Sequence, residues 1–421
     1  MTMHIAHLLR KYNPAEWGGT ETVMRQLCGG LRQEGVASTI YCPAIPSPAV
    51  ADPLAESGCT LRRFKACVPI WGISEEQRRQ MVAVGGNLLS FDLPRMLWSD
   101  RSISVIHTHT LGRIGGIGLT LARRKGVPLV VTIHGGVYDL PENLKRSFAA
   151  PQTGGWEWGK PFGMLFRARR VLHEADAILT CNVREAELIR KHHPDRRVVV
   201  QPHGVPAQVY AADQTKAALA AFPQIHGRDV ILSLGRIDAV KNQAWVVEQM
   251  PALLRRHPNA MLVLAGACTD EAYGQALSRR IAELGLGQSI LITGKPPPAD
   301  PRLIGLLQVA RVAMLQSVSE TFGLVILEAW AAGTPAVSSR TSGASALIEH
   351  GRNGWLFDLD QPATFHEVMR TALTDEPKRA AAVAAGRERV ISHYDTQVIA
   401  SGVRRLYELL VEEKNALRHS A

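Results

Sequence analysis

Ser319-Glu320-Thr321-Phe322-Gly323-Leu324-Val325-Ile326-Leu327-Glu328, closed by Gly333-Thr334-Pro335-Ala336-Val337, is the stretch that decides the fold. It reads as a turn, an apolar helix over 324–332, a glycine stop and a strand started by Pro335. Just upstream, 312–315 is a continuous apolar run. Strand, helix, strand in that order predicts a parallel sheet. At the helix start, Thr321, Phe322, Gly323 and Leu324 offer backbone N–H groups to phosphate oxygens, and Gly323 lets a ligand come close. Glu320 lies in the turn, and Glu328 lies within the helix, two turns further on from Glu320. Both carboxylates suit sugar hydroxyls. A capped core helix explains Glu320 but not Glu328, which is set among apolar residues and needs a polar partner.

The same rhythm runs outward in both directions. After the turn at 203–206, strands at 230–234, 261–265, 289–292, 312–315 and 336–338 alternate with helices at 245–256, 271–284 and 324–332. Before it, strands at 4–9, 38–41, 105–108, 129–133, 177–181 and 198–201 alternate with helices such as 21–33 and 183–191. Each strand is short and nearly all apolar, as expected for strands covered on both faces. The expected fold is α/β, with two Rossmann-like doubly wound domains and a cleft between them. The first spans 1–205 and the second 206–393, and a helix at 394–415 packs back on the first. The Pro-, Gly- and Trp-rich segment 141–161 breaks the rhythm and reads as a loop or lid.

Ligands of open α/β sheets bind beyond the carboxyl ends of the strands, so motifs there carry weight. Trp17-Gly18-Gly19-Thr20-Glu21 follows the first strand, with Thr20 as a helix cap. On its own this is more simply a tight turn. Thr132-Ile133-His134-Gly135-Gly136 exposes His134 at a strand tip. Leu234-Gly235-Arg236-Ile237-Asp238, with Lys241 beyond it, puts a planar guanidinium and a mobile ammonium at another tip. Together they suit a diphosphate, and an Arg236–Asp238 surface pair is the plainer reading. His107-Thr108-His109 resembles a metal pair but has no third ligand at a useful spacing. Asp358-Leu359-Asp360 reads as a turn and helix cap. The glycines of 112–118 have the wrong spacing for a nicotinamide dehydrogenase fingerprint.

The chain has 421 residues, 46% of them hydrophobic and 20% charged, which fits a globular protein of two or three domains. No window is long and apolar enough to span a bilayer, and the first residues do not read as a secretory signal. The expected location is the cytosol. The six scattered cysteines read as reduced, buried fillers. The net charge of +10 is spread over local clusters at 62–65, 123–125 and 167–170. They read as solvated helix faces or, more sharply, as contacts with an anionic membrane surface. No zinc-finger spacing or RNA-binding aromatic motif is present, so nucleic acid is not an expected partner.

With these residues in view, the chain resembles the retaining glycosyltransferases of family 4, which have the GT-B fold. The likeness covers nearly the whole length, and Glu320 to Glu328 with Phe-Gly inside is its most specific part. The resemblance implies that Gly18 and Gly19 face the donor phosphates and sugar. It implies that His134 meets the sugar and that Arg236 and Lys241 hold the diphosphate. Glu320 would hold sugar hydroxyls beside the Phe322, Gly323 and Leu324 N–H groups, and Glu328 the ribose. It further implies a nucleotide diphosphate sugar as donor, UDP before GDP, no metal or other cofactor, and a glycan, lipid-linked or small-molecule acceptor. Where many relatives carry Pro-Asn-Gly-Val, this chain has Pro202-His203-Gly204-Val205, a change that bears on hinge or acceptor contacts. A nucleotide-sugar epimerase on the same scaffold and a non-catalytic sugar-nucleotide binder are the competing readings.

Overall fold

The computed structural model describes residues 3–14, 17–45, 52–84, 88–135, 137–138, 155–294 and 300–419. Most of the 141–161 segment therefore lies outside the described residues. The chain divides into two compact units, Met1–Pro202 with Gln397–Ala421, and His203–Thr396.

The first unit carries β1 (His4–Leu8), β2 (Ala37–Pro43), β3 (Thr60–Phe64), β4 (Ile70–Trp71), β5 (Val105–Thr108), β6 (Leu129–Ile133), β7 (Trp156–Glu157), β8 (Ala177–Thr180) and β9 (Val198–Val200). Seven of them form a parallel sheet in the order β3-β2-β1-β5-β6-β8-β9, and β4 pairs antiparallel with β7. The chain leaves β1 toward β2 and β3, then returns to lay β5 on its other side. The β1/β5 edge is thus the topological switch point where such sheets bind ligands. Consecutive residues of β1 and β6 are buried because both faces are covered. One face packs on the Gly112–Lys125 helix, the other on the Thr396–His419 helix through Val403, Tyr407 and Leu410.

The glycines of 112–118 serve that packing. A Cβ on Gly118 would come within 2.7 Å of Leu8 Cδ1, and one on Gly115 within 2.4 Å of the Thr110 carbonyl oxygen. Some surface expectations need correction. The basic cluster 62–65 begins on the edge strand β3 rather than on a helix, and its arginines are paired, Arg63 with Asp52 at 3.1 Å and Arg62 with Asp100 at 3.4 Å. Cys67 and Cys268 are exposed, so only the other four thiols are buried fillers. Asp358 caps no helix: it pairs with Arg340 at 3.1 Å, and the following helix starts at Pro362 behind Gln361.

The second unit carries β10 (Asp229–Leu234), β11 (Ala260–Ala265), β12 (Ile290–Gly294), β13 (Val312–Leu315), β14 (Ala336–Ser339) and β15 (Gly354–Phe357). All pair in parallel, in the order β12-β11-β10-β13-β14-β15. The switch point lies between β10 and β13. Each unit is a Rossmann-like doubly wound domain.

Candidate functional site

In the second unit the chemistry collects at the tips of β10 and β13. Gly235 leaves β10 at φ 155°, a conformation open to glycine, and its N–H donates to Ala265 O at 2.9 Å. The neighbouring strand tip is equally tight. A Cβ on Gly266 would fall 1.8 Å from the Gly235 carbonyl oxygen, so the two backbones meet directly. The loop beyond Gly235 is tied down by side chains. Gln243 donates to Arg236 O at 2.7 Å, Gln316 donates to Lys241 O at 2.7 Å, and Asp238 accepts from the Lys241 N–H at 2.9 Å.

This frame aims two cations. Arg236 pairs with Asp238 at 3.1 Å, and its side chain is half exposed. Lys241 Nζ lies 2.6 Å from Glu320 Oε2, and its stem runs over Gly235. The fold thus brings together Lys241 and Glu320 from loops 79 residues apart.

The 320–323 turn leads into the Leu324–Ala332 helix with Gly323 as its cap at φ 93°. The first N–H groups of a helix have no acceptor within the helix. Two contacts hold this turn. The Gly343 N–H donates to Glu320 O at 2.8 Å, and a Cβ on Gly343 would lie 2.4 Å from the Phe322 nitrogen. Phe322 itself is buried, with its ring edge-on to His203 at 4.8 Å. The junction residue that departs from the family pattern is therefore a packing partner of this turn.

Glu328 is only 9% exposed, and Tyr210 donates to its Oε1 at 2.8 Å. Desolvation pushes its carboxyl up to about 7, while the Tyr210 hydrogen bond pulls the other way. A buried carboxylate with one neutral donor is under-solvated, which prepares it to accept further hydroxyl donors.

In the first unit, Gly18 is the N-cap of the Gly19–Gln33 helix. The cap is completed by Glu21, whose carboxylate accepts from the Gly18 N–H at 3.0 Å, and not by Thr20. Gly19 is exposed at the helix start. His134 stands at the tip of β6, its Nε2 2.8 Å from Nδ1 of His109. Burial pushes His134 down to about 4.

The dismissal of His107 and His109 for want of a third ligand is corrected by the fold. β1 brings His7 beside them, and nitrogens of all three lie within 4.8 Å of one another. Sequence spacing could not reveal this, because His7 is 102 residues from His109. Both ring nitrogens of His107 and of His109 are engaged. His107 is bonded to Tyr407 at 2.5 Å and Thr132 at 2.6 Å, and His109 to His7 and His134.

Sequence reasoning also missed Tyr210, Gly266, Gln316 and Gly343. Tyr210 carries no sequence signal. Gly266 and Gln316 sit just past strand ends, and that position was the available clue, whereas Gly343 lies inside the Ser342–Leu347 helix.

Comparison with known proteins follows the two units. Residues 216–389 match the family model for glycosyl transferases group 1, and residues 18–204 match that for a glycosyl transferase 4-like domain. The chain is similar to the D-inositol 3-phosphate glycosyltransferase of Pseudarthrobacter chlorophenolicus, 30% identical over 386 residues, which cover 87% of this chain and 86% of that protein. It is similar to the protein of the same name from an Arthrobacter species, 30% identical over 374 residues, covering 86% and 82%. Among solved structures it resembles Anabaena Alr3699/HepE in complex with UDP and glucose, with a TM-score of 0.71 and 17% identity, covering 96% of this chain and 99% of that one. It also resembles sucrose-phosphate synthase from Thermosynechococcus elongatus, with a TM-score of 0.74 and 20% identity, covering 98% and 100%.

Proposed function

The chain belongs to the group 1, family 4 glycosyltransferases, and from that premise we propose that it moves a sugar from a nucleoside diphosphate donor to an acceptor hydroxyl with retention of anomeric configuration. Its fold is of the GT-B class. UDP is the proposed nucleotide, with GDP next. The proposed setting is cell-envelope glycan, lipopolysaccharide or glycoconjugate biosynthesis.

The observation that carries the proposal is the grouping at the β10 and β13 tips. Arg236, Lys241 and a helix start capped by Gly323 supply positive potential for a diphosphate. Glu320 and Glu328 supply acceptors for the hydroxyls on either side of it. Arg236 would exchange Asp238 for a phosphate oxygen. Lys241 would share its ammonium between Glu320 and the diphosphate.

In the proposed reaction, the bond between the anomeric carbon and the diphosphate oxygen breaks first, giving an oxocarbenium-like sugar. The acceptor oxygen bonds to that carbon on the same face. Its proton passes to the departing diphosphate. Arg236, Lys241 and the Phe322, Gly323 and Leu324 N–H groups stabilise the charge that grows on the leaving group. His134, Gly18 and Gly19 are the proposed contacts from the first unit, where the acceptor binds. The protein supplies the positive charge, so turnover should persist in a chelator.

Proton NMR of the sugar released or transferred from an α-linked UDP-hexose tests the proposal. An α product formed first supports it, and a β product formed first contradicts it. Normal turnover in Arg236→Ala or Lys241→Ala enzyme would contradict the assigned roles.

A peripheral contact with an anionic membrane surface belongs to the same proposal. It is supported by a chain of aromatic rings in the first unit: Trp156 to Trp71 at 5.1 Å, Trp71 to Trp158 at 6.4 Å, Trp158 to Phe162 at 6.2 Å and Phe162 to Phe91 at 5.2 Å. Trp71 is 63% and Trp156 64% exposed. Arg123, Arg167 and Arg170 converge on one carboxylate, Glu174, so that group stays net cationic. Tryptophans at the headgroup level and nearby cations are two signals for interfacial binding. Sedimentation with phosphatidylglycerol vesicles, and none with phosphatidylcholine, is the expected result; equal recovery in both supernatants would contradict it. No described helix is long and apolar enough to cross a membrane.

A further inference from the structure

Among the described residues, Tyr210 alone donates a hydrogen bond to the Glu328 carboxylate, across 118 residues of chain. Its place is built. Tyr210 is 4% exposed and lies on the Ala207–Ala211 helix, which is too short to be stable alone. Both ends of that helix are held by side chains from elsewhere. The Ala207 N–H donates to Asp395 Oδ2 at 3.2 Å. Gln308 Nε2 donates to the carbonyl oxygens of Tyr210 at 2.9 Å and Ala212 at 2.7 Å. Gln308 Oε1 in turn accepts from the Gln214 N–H at 2.7 Å. A Cβ on Gly305 would fall 2.2 Å from the Gln214 carbonyl oxygen, so this segment lies directly on the Pro301–Val309 helix. The phenol is therefore fixed before any ligand arrives.

The carboxylate it meets is short of donors. Glu328 sits in its helix beside Leu327, Ala329 and Trp330, all buried. An ionised carboxylate can accept on about four lone-pair sites. Tyr210 occupies one, on Oε1. Oε2 accepts from no described residue and is not sealed from solvent.

No cation compensates the charge. On the helices packed against 324–332, Arg302 is held by Asp300, Lys378 by Asp375, Arg379 by Glu376 and Arg389 by Glu349. Arg387, Glu388 and His393 are exposed. Only burial and Tyr210 act on the Glu328 carboxyl, and burial prevails, leaving it at about 7. At that balance one hydrogen bond decides the charge at neutral pH.

We propose that Tyr210 is a positioning residue for the nucleotide: by donating to Oε1 it keeps Glu328 ionised at neutral pH and leaves Oε2 for the ribose hydroxyls. The inference rests on the proposed ribose role of Glu328. Ribose hydroxyls come as donors, and the ionised carboxylate is the acceptor-only form. A protonated Glu328 would present an O–H of its own and lose acceptor capacity. The ribose is remote from the anomeric carbon, so its contacts are the same in the ground state and the transition state. Losing them raises KM and leaves kcat unchanged.

The test is Tyr210→Phe in the full chain, which keeps the ring and removes one oxygen. Carbon-13 NMR follows the Glu328 carboxyl without nucleotide, assigned with Glu328→Gln. Calorimetric titration with UDP and with GDP follows affinity from pH 6 to 8.5. In Tyr210→Phe the carboxyl midpoint should move up by about one pH unit, the size expected for a lost hydrogen bond to a charged group. Nucleotide should then bind about fivefold more weakly at pH 7 and nearly as well as in the parent at pH 8.5. At pH 7 the donor KM should rise by the same factor, with kcat unchanged. A merely structural role would weaken binding equally at every pH, and that result overturns the proposal, as does an unmoved midpoint. If the midpoint moves while Tyr210→Phe and Glu328→Gln both bind UDP and GDP as the parent does, the ribose reading of Glu328 fails and the Tyr210 contact stands. If Glu328→Gln binds weakly while Tyr210→Phe keeps the parent midpoint and affinity, the role of Tyr210 fails and the ribose reading stands.

Discussion

Lys241 Nζ rests 2.6 Å from Glu320 Oε2, which joins a candidate diphosphate cation to a candidate sugar carboxylate in one ion pair. Their side chains are 22% and 17% exposed, so neither is fully hydrated. Removing one partner strands the other. Lys241→Met should therefore lower stability by about 1–3 kcal/mol through the unpaired Glu320. It should also slow turnover by on the order of a hundredfold or more, through lost leaving-group stabilisation. The double variant Lys241→Met/Glu320→Gln should recover the stability and not the turnover. Denaturant melts and initial rates on the parent and these two variants check this, and recovery of both would contradict it.

Glu328 gives a pH prediction of definite sign. Its folded-state carboxyl is raised to about 7, above the usual value of 4.5. The folded state therefore holds a proton that the unfolded state releases. The associated stability is complete below the unfolded value and is lost as pH rises through about 7, at about 1.4 kcal/mol per unit. Glu328→Gln should raise the melting temperature at pH 8 and leave it nearly unchanged at pH 4. Ribose hydroxyls favour the ionised form, so nucleotide affinity in the parent should weaken as pH falls below 7. A pH-independent affinity, or no stabilisation by Gln at pH 8, would contradict this account.

Gly343 is a sharper steric test. An added Cβ would meet the Phe322 nitrogen at 2.4 Å and Thr321 C at 2.6 Å, both backbone atoms that cannot rotate away. Gly343→Ala should displace the 320–323 turn and cut turnover at least tenfold, by misplacing a bound phosphate. Gly29, where a Cβ meets nothing within 4 Å, is the control: Gly29→Ala should leave rates unchanged.

Acid should unfold the first unit through its histidines. Folded-state values for His7 and His134 are depressed to about 3 and about 4, from 6.5. Stability present above 6.5 is lost as pH falls toward those values, because the unfolded chain takes the protons first. Melting scans from pH 7.5 to 4.5 should fall steeply, and His7→Gln should flatten the slope. An unchanged slope in that variant would contradict it.

Much of the fold is legible in the sequence because its strands are continuous apolar runs bounded by turns. The runs at 105–108, 129–133 and 312–315 are strands in the structure with those limits. β3 is less legible, since Arg62 and Arg63 look like a surface cluster until Asp100 and Asp52 pair with them across the fold. β4 and β7 are two-residue strands that only their mutual pairing defines. In the candidate site, position past a strand end made Arg236, Lys241, Glu320 and His134 visible as candidates. What remained hidden is long-range contact: Tyr210 on Glu328, His203 on Phe322, and His7 reaching His109. None of these leaves a spacing in the chain.

The central claim is that the second unit binds a nucleoside diphosphate on Lys241, Glu320 and Glu328. A thermal-shift panel of nucleoside diphosphates and nucleotide sugars, run in a chelator, tests it most directly. A ligand at a hundredfold excess over its Kd adds ~2.7 kcal/mol of stability. The account predicts a clear rise in melting temperature with UDP or GDP, absent in Glu328→Ala. No rise with any nucleotide, or the same rise in Glu328→Ala, would contradict it.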